Sequence, residues 1–421
     1  MTQPHPILVA PNVSEQIGGE AIKVFQIASQ LSIKGVPFSL ITHERCASEV
    51  RDSFPGVDLH FATDSLLQRL MWKSVVLRLA LNADFQRRSR PLIRAAMAAH
   101  AGGVVHYVTP VSPIQPTLLV DDAPILIGPL TGSIYYPPAF QSKEPAGWKA
   151  SRLLYRFAVP AHRLLHRGKR RADRILVSGA ERTRRTLLRI GCRDDRLHDF
   201  IDSGVKESFL ADQPTHHEGT NLSFVHNGRL ARHKGTDLAI EALLHTTNPV
   251  TLDIIGRGEA EDGLKELTTS LGLDDRVRFR GWVENHADLP DILRQYRGFV
   301  FPSLAEANGI VVQEAMSLGL PVVALDWGGP SLLVEHEHSG ILIPPDSHDR
   351  VVRDLAAAMD RLASDPALTN GFAREAHRVA AAEFAWPVVV DQLVEHYRDL
   401  VDGSREADGS DQVDGSGDAA P

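Results

Sequence analysis

Four ionisable residues in the second half of the chain are spaced for chemistry on a phosphorylated ligand: Arg229, Lys234, Glu306 and Glu314. Arg229 and Lys234 fall in HNGRLARHKGTD (226–237), a loop between an apolar strand and a helix, opened by Gly228. Two cations at the carboxyl end of a parallel strand meet a phosphate where such sheets bind ligands. Taken alone, a basic loop is more often solvated surface than site. Glu306 and Glu314 lie eight residues apart in FPSLAEANGIVVQEAMSLGLPVVA (301–324). The spacing predicts a loop carrying Glu306 and a helix from Gly309 with Glu314 on its second turn. The N–H groups of Gly309, Ile310 and Val311 would face an anion, and the missing glycine side chain would let a diphosphate approach. The carboxylates would accept hydrogen bonds from sugar or ribose hydroxyls. In a chain with 53 acidic residues, such a pair alone is also common by chance.

These loops need strands and helices to hold them. PILVAP (6–11), a loop with Gly18 and Gly19, a helical pattern through Leu31 stopped by Gly35, and VPFSLIT (36–42) form a βαβ unit. VVHYVT (104–109), PILIGP (124–129) and RILVSG (174–179) continue the sheet. The pattern restarts after the polar stretch 211–221 with SFVHNG (223–228), TLDIIG (251–256), VRFRGW, GFVFPS and PVVALD. The expected fold class is α/β: two Rossmann-like doubly wound domains, 1–210 and 222–385, facing across a cleft. A helix over 386–400 is expected to pack back on the first domain. Residues 401–421, nearly devoid of large apolar side chains, read as a disordered acidic tail. Trp282 is expected to pack in the core or between domains, while the backbone near Val283 is open to a nucleobase edge.

Composition narrows the classes. With 421 residues, 43% hydrophobic and 23% charged, the chain has material for two cores. A net charge of −8 argues against a general nucleic-acid binder. Between Lys143 and Arg196, however, sixteen Lys/Arg stand against five Asp/Glu. Two cysteines imply no disulfide framework. The N-terminus lacks the signature of a secretory signal, and no apolar run reaches a membrane span, so a cytoplasmic protein is expected. LQRLMWKSVVLRLALNADFQRR (67–88) and RLLHRGKRRADR (163–174) mix apolar and basic residues and would suit the anionic inner face of a membrane. Ordinary amphipathic helices with solvated arginines account for the same pattern. No cluster with metal-ligand spacing is evident, so no metal and no bound cofactor are expected.

In order and spacing, GRLARHKG, the IIGRGE turn (254–259) with Gly256, the FRGWV strand, the Glu-x7-Glu motif with AMSLGLPVVA, and GGPSLLVEHEHSGILIPP (328–345) resemble the C-terminal half of family-4 retaining glycosyltransferases of GT-B fold, the glycosyl transferases group 1. The resemblance implies that a nucleotide-sugar, UDP- or GDP-linked, is co-substrate. Arg229 and Lys234 would bind its diphosphate, Glu306 the transferred sugar and Glu314 the ribose. It implies transfer with retention and without a metal to a glycan, glycolipid, lipid-linked or small-molecule acceptor, in polysaccharide or glycoconjugate synthesis. Gly18 and Gly19 would bring backbone N–H groups to the donor. The first half matches less well. PILIGPLTGSIYYPPAF (124–140) lacks the histidine many relatives carry there, which leaves His106, Thr131 and Gly132 as acceptor-side candidates. His106 reads more readily as a packed strand residue. Ala307-Asn308 replaces the Gly-Phe type pair of most relatives, so sugar specificity does not carry over, and Asn308 is a candidate contact to a donor-sugar hydroxyl.

The rival enzyme classes fit less well. IGGE (17–20) is not Gly-x-Gly-x-x-Gly, which disfavours a dinucleotide dehydrogenase. The glutamate pair disfavours a nucleotide-sugar epimerase, and no pyridoxal lysine for a phosphorylase is identifiable. A non-catalytic GT-B scaffold binding a glycan or protein partner is the alternative from another class.

Overall fold

The computed structural model describes residues 3–16, 18–63, 78–120, 123–132, 135–145, 147, 166–210, 213–218 and 221–411. The first domain comprises β1 (His5–Val9), α1 (Gly19–Ile33), β2 (Ser39–His43), α2 (Ala47–Ser53), β3 (Asp58–Ala62), α3 (Arg78–Ala99), β4 (Gly103–Tyr107), β5 (Ile125–Leu130), α4 (Arg167–Arg171), β6 (Arg174–Val177), α5 (Ala180–Arg189) and β7 (Leu197–Asp199). The second comprises β8 (Ser223–Asn227), α6 (Thr236–Ala242), β9 (Thr251–Ile255), α7 (Glu261–Ser270), β10 (Val277–Gly281), α8 (Leu289–Leu293), β11 (Gly298–Phe301), α9 (Ile310–Ser317), β12 (Val322–Leu325), α10 (Pro330–Leu333), β13 (Gly340–Ile343), α11 (His348–Ser364) and α12 (Pro366–Glu383). A last helix, α13, covers Trp386–Asp411.

Among the described residues the strands form two sheets, ordered β3-β2-β1-β4-β5-β6-β7 and β10-β9-β8-β11-β12-β13. All recorded pairings are parallel. The central strands are continuous apolar runs because both faces of a parallel sheet are covered by helices. Each buried Val, Leu or Ile contributes about 1.5–3 kcal/mol. In each domain the core divides into two clusters, one per sheet face.

The domain limits differ from the sequence expectation. Val205 and Phe209, assigned to the first domain, are buried in the core of the second, against Phe299 and Ala380. The described part of the expected linker is docked as well. Thr215 N donates to Leu318 O at 2.9 Å, and the buried His217 ring bonds Gly319 O at 3.2 Å. A polar composition is as compatible with a strap on a surface as with a free linker. The chain crosses back after α12, and the crossings meet where Val205 N donates to Phe384 O at 2.8 Å. A Cβ on Gly204 would lie 2.8 Å from the Trp386 ring, so only glycine lets them pass this closely.

The helix α13 packs on the first domain through Val390, Leu393, Tyr397 and Val401, against Leu8, Val24 and Val104. It continues to Asp411, so residues 401–411 of the expected disordered tail are helical, and Val401 is buried. Residues 412–421 lie outside the described residues, as do residues 67–77 of the basic amphipathic stretch.

One buried bond ties α13 to the sheet. The fully buried His106 ring bonds Gly128 O through Nε2 and Tyr397 Oη through Nδ1, both at 2.7 Å. A carbonyl can only accept, so Nε2 carries the proton and Nδ1 accepts from the tyrosine. Tyr397→Phe strands that nitrogen in the core, and the expected loss is about 1–2 kcal/mol of unfolding free energy. Chemical denaturation followed by far-UV circular dichroism measures it, and an unchanged midpoint would show the bond to be worth nothing.

Candidate functional site

The site begins at the carboxyl ends of β8, β9 and β11. After β8 the chain runs through Gly228 and a single 3-10 turn, Arg232–Lys234, to Gly235, which caps α6 at φ 66°. A Cβ there would lie 2.1 Å from Pro302 O, so Gly235 lets this loop lie against the one after β11. The fully buried His226 fixes both. Its Nδ1 donates to Val300 O at 3.0 Å and its Nε2 accepts from Thr236 Oγ1 at 3.1 Å, and burial lowers its pKa to about 4. The loops are joined again where Leu304 N and Ser303 Oγ both donate to His233 O, at 2.8 and 3.2 Å.

This zipper brings Lys234 and Glu306 together. Lys234 Nζ lies 2.5 Å from Glu306 Oε2, each side chain 17% exposed, and 5.1 Å above the Phe301 ring. Arg229 does not join them. It is largely exposed, with Glu259 at 3.6 Å, and no contact places it on Glu306. Gly228 and Gly256 form a backbone-on-backbone floor, where a Cβ on Gly256 would fall 1.9 Å from Gly228 O. Gly256 N in turn donates to Gly281 O at 2.8 Å. Val283 packs on the second domain's core. Trp282 is 52% exposed, so the packing role expected of it is overturned. It follows Gly281, whose positive φ of 72° turns the chain at the end of this edge strand.

After Glu306, Gly309 adopts φ 86° and caps α9, which leaves the first N–H groups of the helix, including those of Ile310 and Val311, without helical partners. The Val311 side chain packs against the core. Glu314 is 6% exposed, and burial pushes its carboxyl up to about 7, with the Lys206 charge acting against that rise. Glu306, Asn308, Gly309, Ile310 and Glu314 line an interdomain cavity of about 380 Å³.

The first domain supplies the facing wall. Gly19, Glu20, Lys23 and Thr131 line the same cavity, with Lys206 from the crossing segment. Gly18, at φ 74°, caps α1 and turns Gly19 toward the cleft. Lys23 Nζ bonds Asp202 Oδ1 at 2.6 Å and ties α1 to the crossing. Thr131 Oγ1 is buried and has no hydrogen-bond partner among the described residues. Gly132 holds the wall, its O accepting from Thr183 Oγ1 at 2.9 Å. His106 is not brought to the cleft, since it is the buried strut to α13 described above. Glu20, Lys23, Asp202 and Lys206 escaped the sequence reading because they lie in no motif; only folding gathers them. Of the basic stretch 163–174, Lys169 is buried and donates to the carbonyls of Ser112, Pro113 and Gln115, while Arg174 pairs with Asp399. These two are structural cations, unavailable to a membrane.

The comparisons with known proteins agree with this geometry. Residues 210–379 match the family model "Glycosyl transferases group 1". An alpha-D-kanosaminyltransferase of Streptomyces kanamyceticus is 34% identical over 176 residues, 41% of this chain and 44% of that protein. The lipopolysaccharide core biosynthesis mannosyltransferase LpsB of Rhizobium meliloti is 36% identical over 172 residues, 38% of this chain and 47% of that one. The chain thus spans less than half the length of these curated relatives. Over nearly its whole length the fold resembles that of HepE of Anabaena solved with UDP, at TM-score 0.59 and 18% identity, covering 94% of this chain and 100% of that one. It also resembles sucrose-phosphate synthase of Thermosynechococcus elongatus, at TM-score 0.61 and 19% identity, covering 95% and 100%. The architecture is the GT-B fold, and the match to the family model falls on its second domain.

Glu314 gives a pH test with a definite sign. A carboxyl whose folded pKa is about 7 against 4.5 unfolded costs stability as pH rises between those values. Glu314→Gln removes that cost. The variant is expected to be more stable than the ligand-free parent by about 1–3 kcal/mol at pH 8. At pH 4.5 the two should match within error; denaturant titrations at both pH values compare them, and equal midpoints at pH 8 would refute the buried-carboxylate account.

Proposed function

We propose that this chain is a retaining, metal-independent glycosyltransferase moving a hexose-type sugar from a nucleoside-diphosphate donor, UDP- or GDP-linked, to a glycan or lipid-linked acceptor in cell-surface polysaccharide or glycoconjugate synthesis. The observation that carries the proposal is the Lys234–Glu306 pair beside the free N-terminus of α9 and the buried Glu314, in one interdomain cleft.

The chemistry follows from the groups present. A leaving diphosphate gains negative charge as the glycosidic bond breaks. The Lys234 ammonium, Arg229 and the N–H groups at Gly309–Val311 would stabilise that charge, which is usually the largest catalytic effect. A bound diphosphate would compete with Glu306 for Lys234 and release the Glu306 carboxylate to accept from sugar hydroxyls. Arg229, exposed at the rim, would swing in. The buried Glu314 would accept from ribose hydroxyls, and Val283 and its backbone would border the base. Among the described residues no three His, Cys, Asp or Glu side chains converge as a metal-binding group. The proposal assigns charge neutralisation to the protein's own cations.

An acceptor presented at the inner face of a membrane is part of the same proposal. It is supported by the lipopolysaccharide-core role in the name of LpsB and by the exposed arginines 167, 170 and 171 of α4. Among the described residues no helix is long and apolar enough to cross a membrane.

Lys234→Ala and Arg229→Ala are each expected to lower turnover by about 100-fold or more. EDTA is expected to leave the rate unchanged, and NMR of the first-formed product to show the donor's anomeric configuration. Near-normal rates in both variants would sink the assignment. A melting-temperature screen with UDP-, GDP- and ADP-sugars should show one base series raising the midpoint, because a ligand that binds only the folded state stabilises it.

A further inference from the structure

The two domains meet a second time, away from the chain crossings, and one cation organises the contact. After β5 the segment 135–145 leaves the first domain. Tyr136 and Phe140, each 2% exposed, are buried in the core of the second among residues of α6 and α11. Lys143 Nζ pairs with Asp237 Oδ2 of α6 at 2.9 Å. Arg182, on the first turn of α5, reaches into this junction. Its Nη1 donates to Tyr135 O at 3.0 Å and its Nη2 to Glu306 O at 3.4 Å, and its guanidinium lies 4.8 Å over the Trp327 ring. Trp327 Nε1 donates to the same Tyr135 O at 2.8 Å. Gly329 N adds a second donor to Glu306 O at 3.1 Å. A Cβ on Gly328 would lie 2.3 Å from both Arg182 Nη2 and Glu306 O, so the contact requires glycine.

Among the described residues no carboxylate pairs with Arg182. A largely buried guanidinium held by two carbonyls and a ring face is a costly way to join two domains, because burying a charge without a counter-ion forfeits hydration. Burial lowers its pKa to about 10, so it remains a cation at neutral pH. What it secures is direction. The carbonyl it grips belongs to Glu306, and the next residues are Ala307 and Asn308, which line the cleft system from both sides. Gly179, just before α5, abuts the same tip, where a Cβ would lie 3.2 Å from Ala307 O.

We propose that Arg182 is a positioning residue. By holding the Glu306 carbonyl from the first domain, it sets the orientation of the Glu306 carboxylate and the Ala307–Asn308 tip, and so couples selection of the donor sugar to the seating of the two domains. The inference rests on the donor-site reading above but concerns only the sugar end. Of the groups proposed for the nucleotide, none is hydrogen-bonded to Arg182 among the described residues, and Lys234 is reached only through its pair with Glu306. A lysine cannot replace it, because one ammonium does not span two carbonyls and a ring face in a plane.

The experiment compares wild type, Arg182→Ala and Arg182→Lys in steady-state transfer, with calorimetric binding of the free nucleoside diphosphate. Both variants are expected to lose roughly 10- to 100-fold in kcat/KM, the scale of a small misplacement at a reacting centre. They should bind the nucleoside diphosphate within twofold of wild type. Their discrimination between UDP-glucose and UDP-galactose, or the matching pair on the preferred base, should narrow. If Arg182→Ala does not fold, Arg182→Lys, which keeps the charge, decides. Wild-type kcat/KM and selectivity in the lysine variant would overturn the inference, as would loss of nucleoside-diphosphate affinity in step with turnover. A wild-type protein that binds no nucleoside diphosphate would instead refute the donor-site reading itself.

Discussion

The ion pair between Lys234 and Glu306 is the interaction around which the second domain is arranged. Two charges at 17% exposure recover little free energy from each other after desolvation, so the pair is a poor source of stability. Around it stand groups whose effect is to fix geometry. His226 is held neutral between Val300 and Thr236, Gly235 admits the Pro302 carbonyl, and the His233 carbonyl takes two donors from the loop after β11. A cation and a carboxylate delivered by two strands adjacent in the sheet, β8 and β11, can be placed this closely because parallel strands release their loops on the same side. The cleft is the consequence of that rule applied twice, with the two sheets facing each other.

Stability is given up at several points of this cleft. Among the described residues, Glu314 is buried with only the Lys206 charge opposing the rise in its pKa, Thr131 keeps a hydroxyl without a partner, and Arg182 spans the junction with no counter-ion. A core designed for stability would avoid all three. All three lie at the interdomain surface, where the proposed donor would bring polar partners to Glu314 and Thr131.

The domains are held by three kinds of contact. The two backbone crossings pair at Val205 and Phe384, the Lys23–Asp202 pair ties α1 to the crossing, and the 135–145 segment carries Tyr136 and Phe140 into the opposite core. The helix α13 then seals the back of the first sheet through Tyr397 and His106. Motion between the domains is therefore constrained at the crossings and at the strap, on either side of the cavity that contains Glu306.

Periodicity and local motifs alone determined the two α/β domains, the order of the central strands along the chain, and the placement of Glu306 and Glu314 on a loop and the second turn of a helix. These are legible because a buried parallel strand is an apolar run and a helix is a 3.6-residue repeat, both properties of contiguous residues. The strands not anticipated, β3, β7 and β13, are all sheet edges, where partial burial or a length of three or four residues leaves a weak pattern. Tertiary structure decided the rest. The division at 210 moved because Val205 and Phe209 find their apolar partners in the second domain, a choice no local window contains. Trp282 came out exposed because a single side chain has no period, and its surroundings come from residues distant in sequence; the packed reading favoured for His106 held, but its partner Tyr397 could not be read locally. Which partners a cation finds was likewise decided by what folds around it, as Lys169 among three carbonyls and Lys234 against Glu306 show.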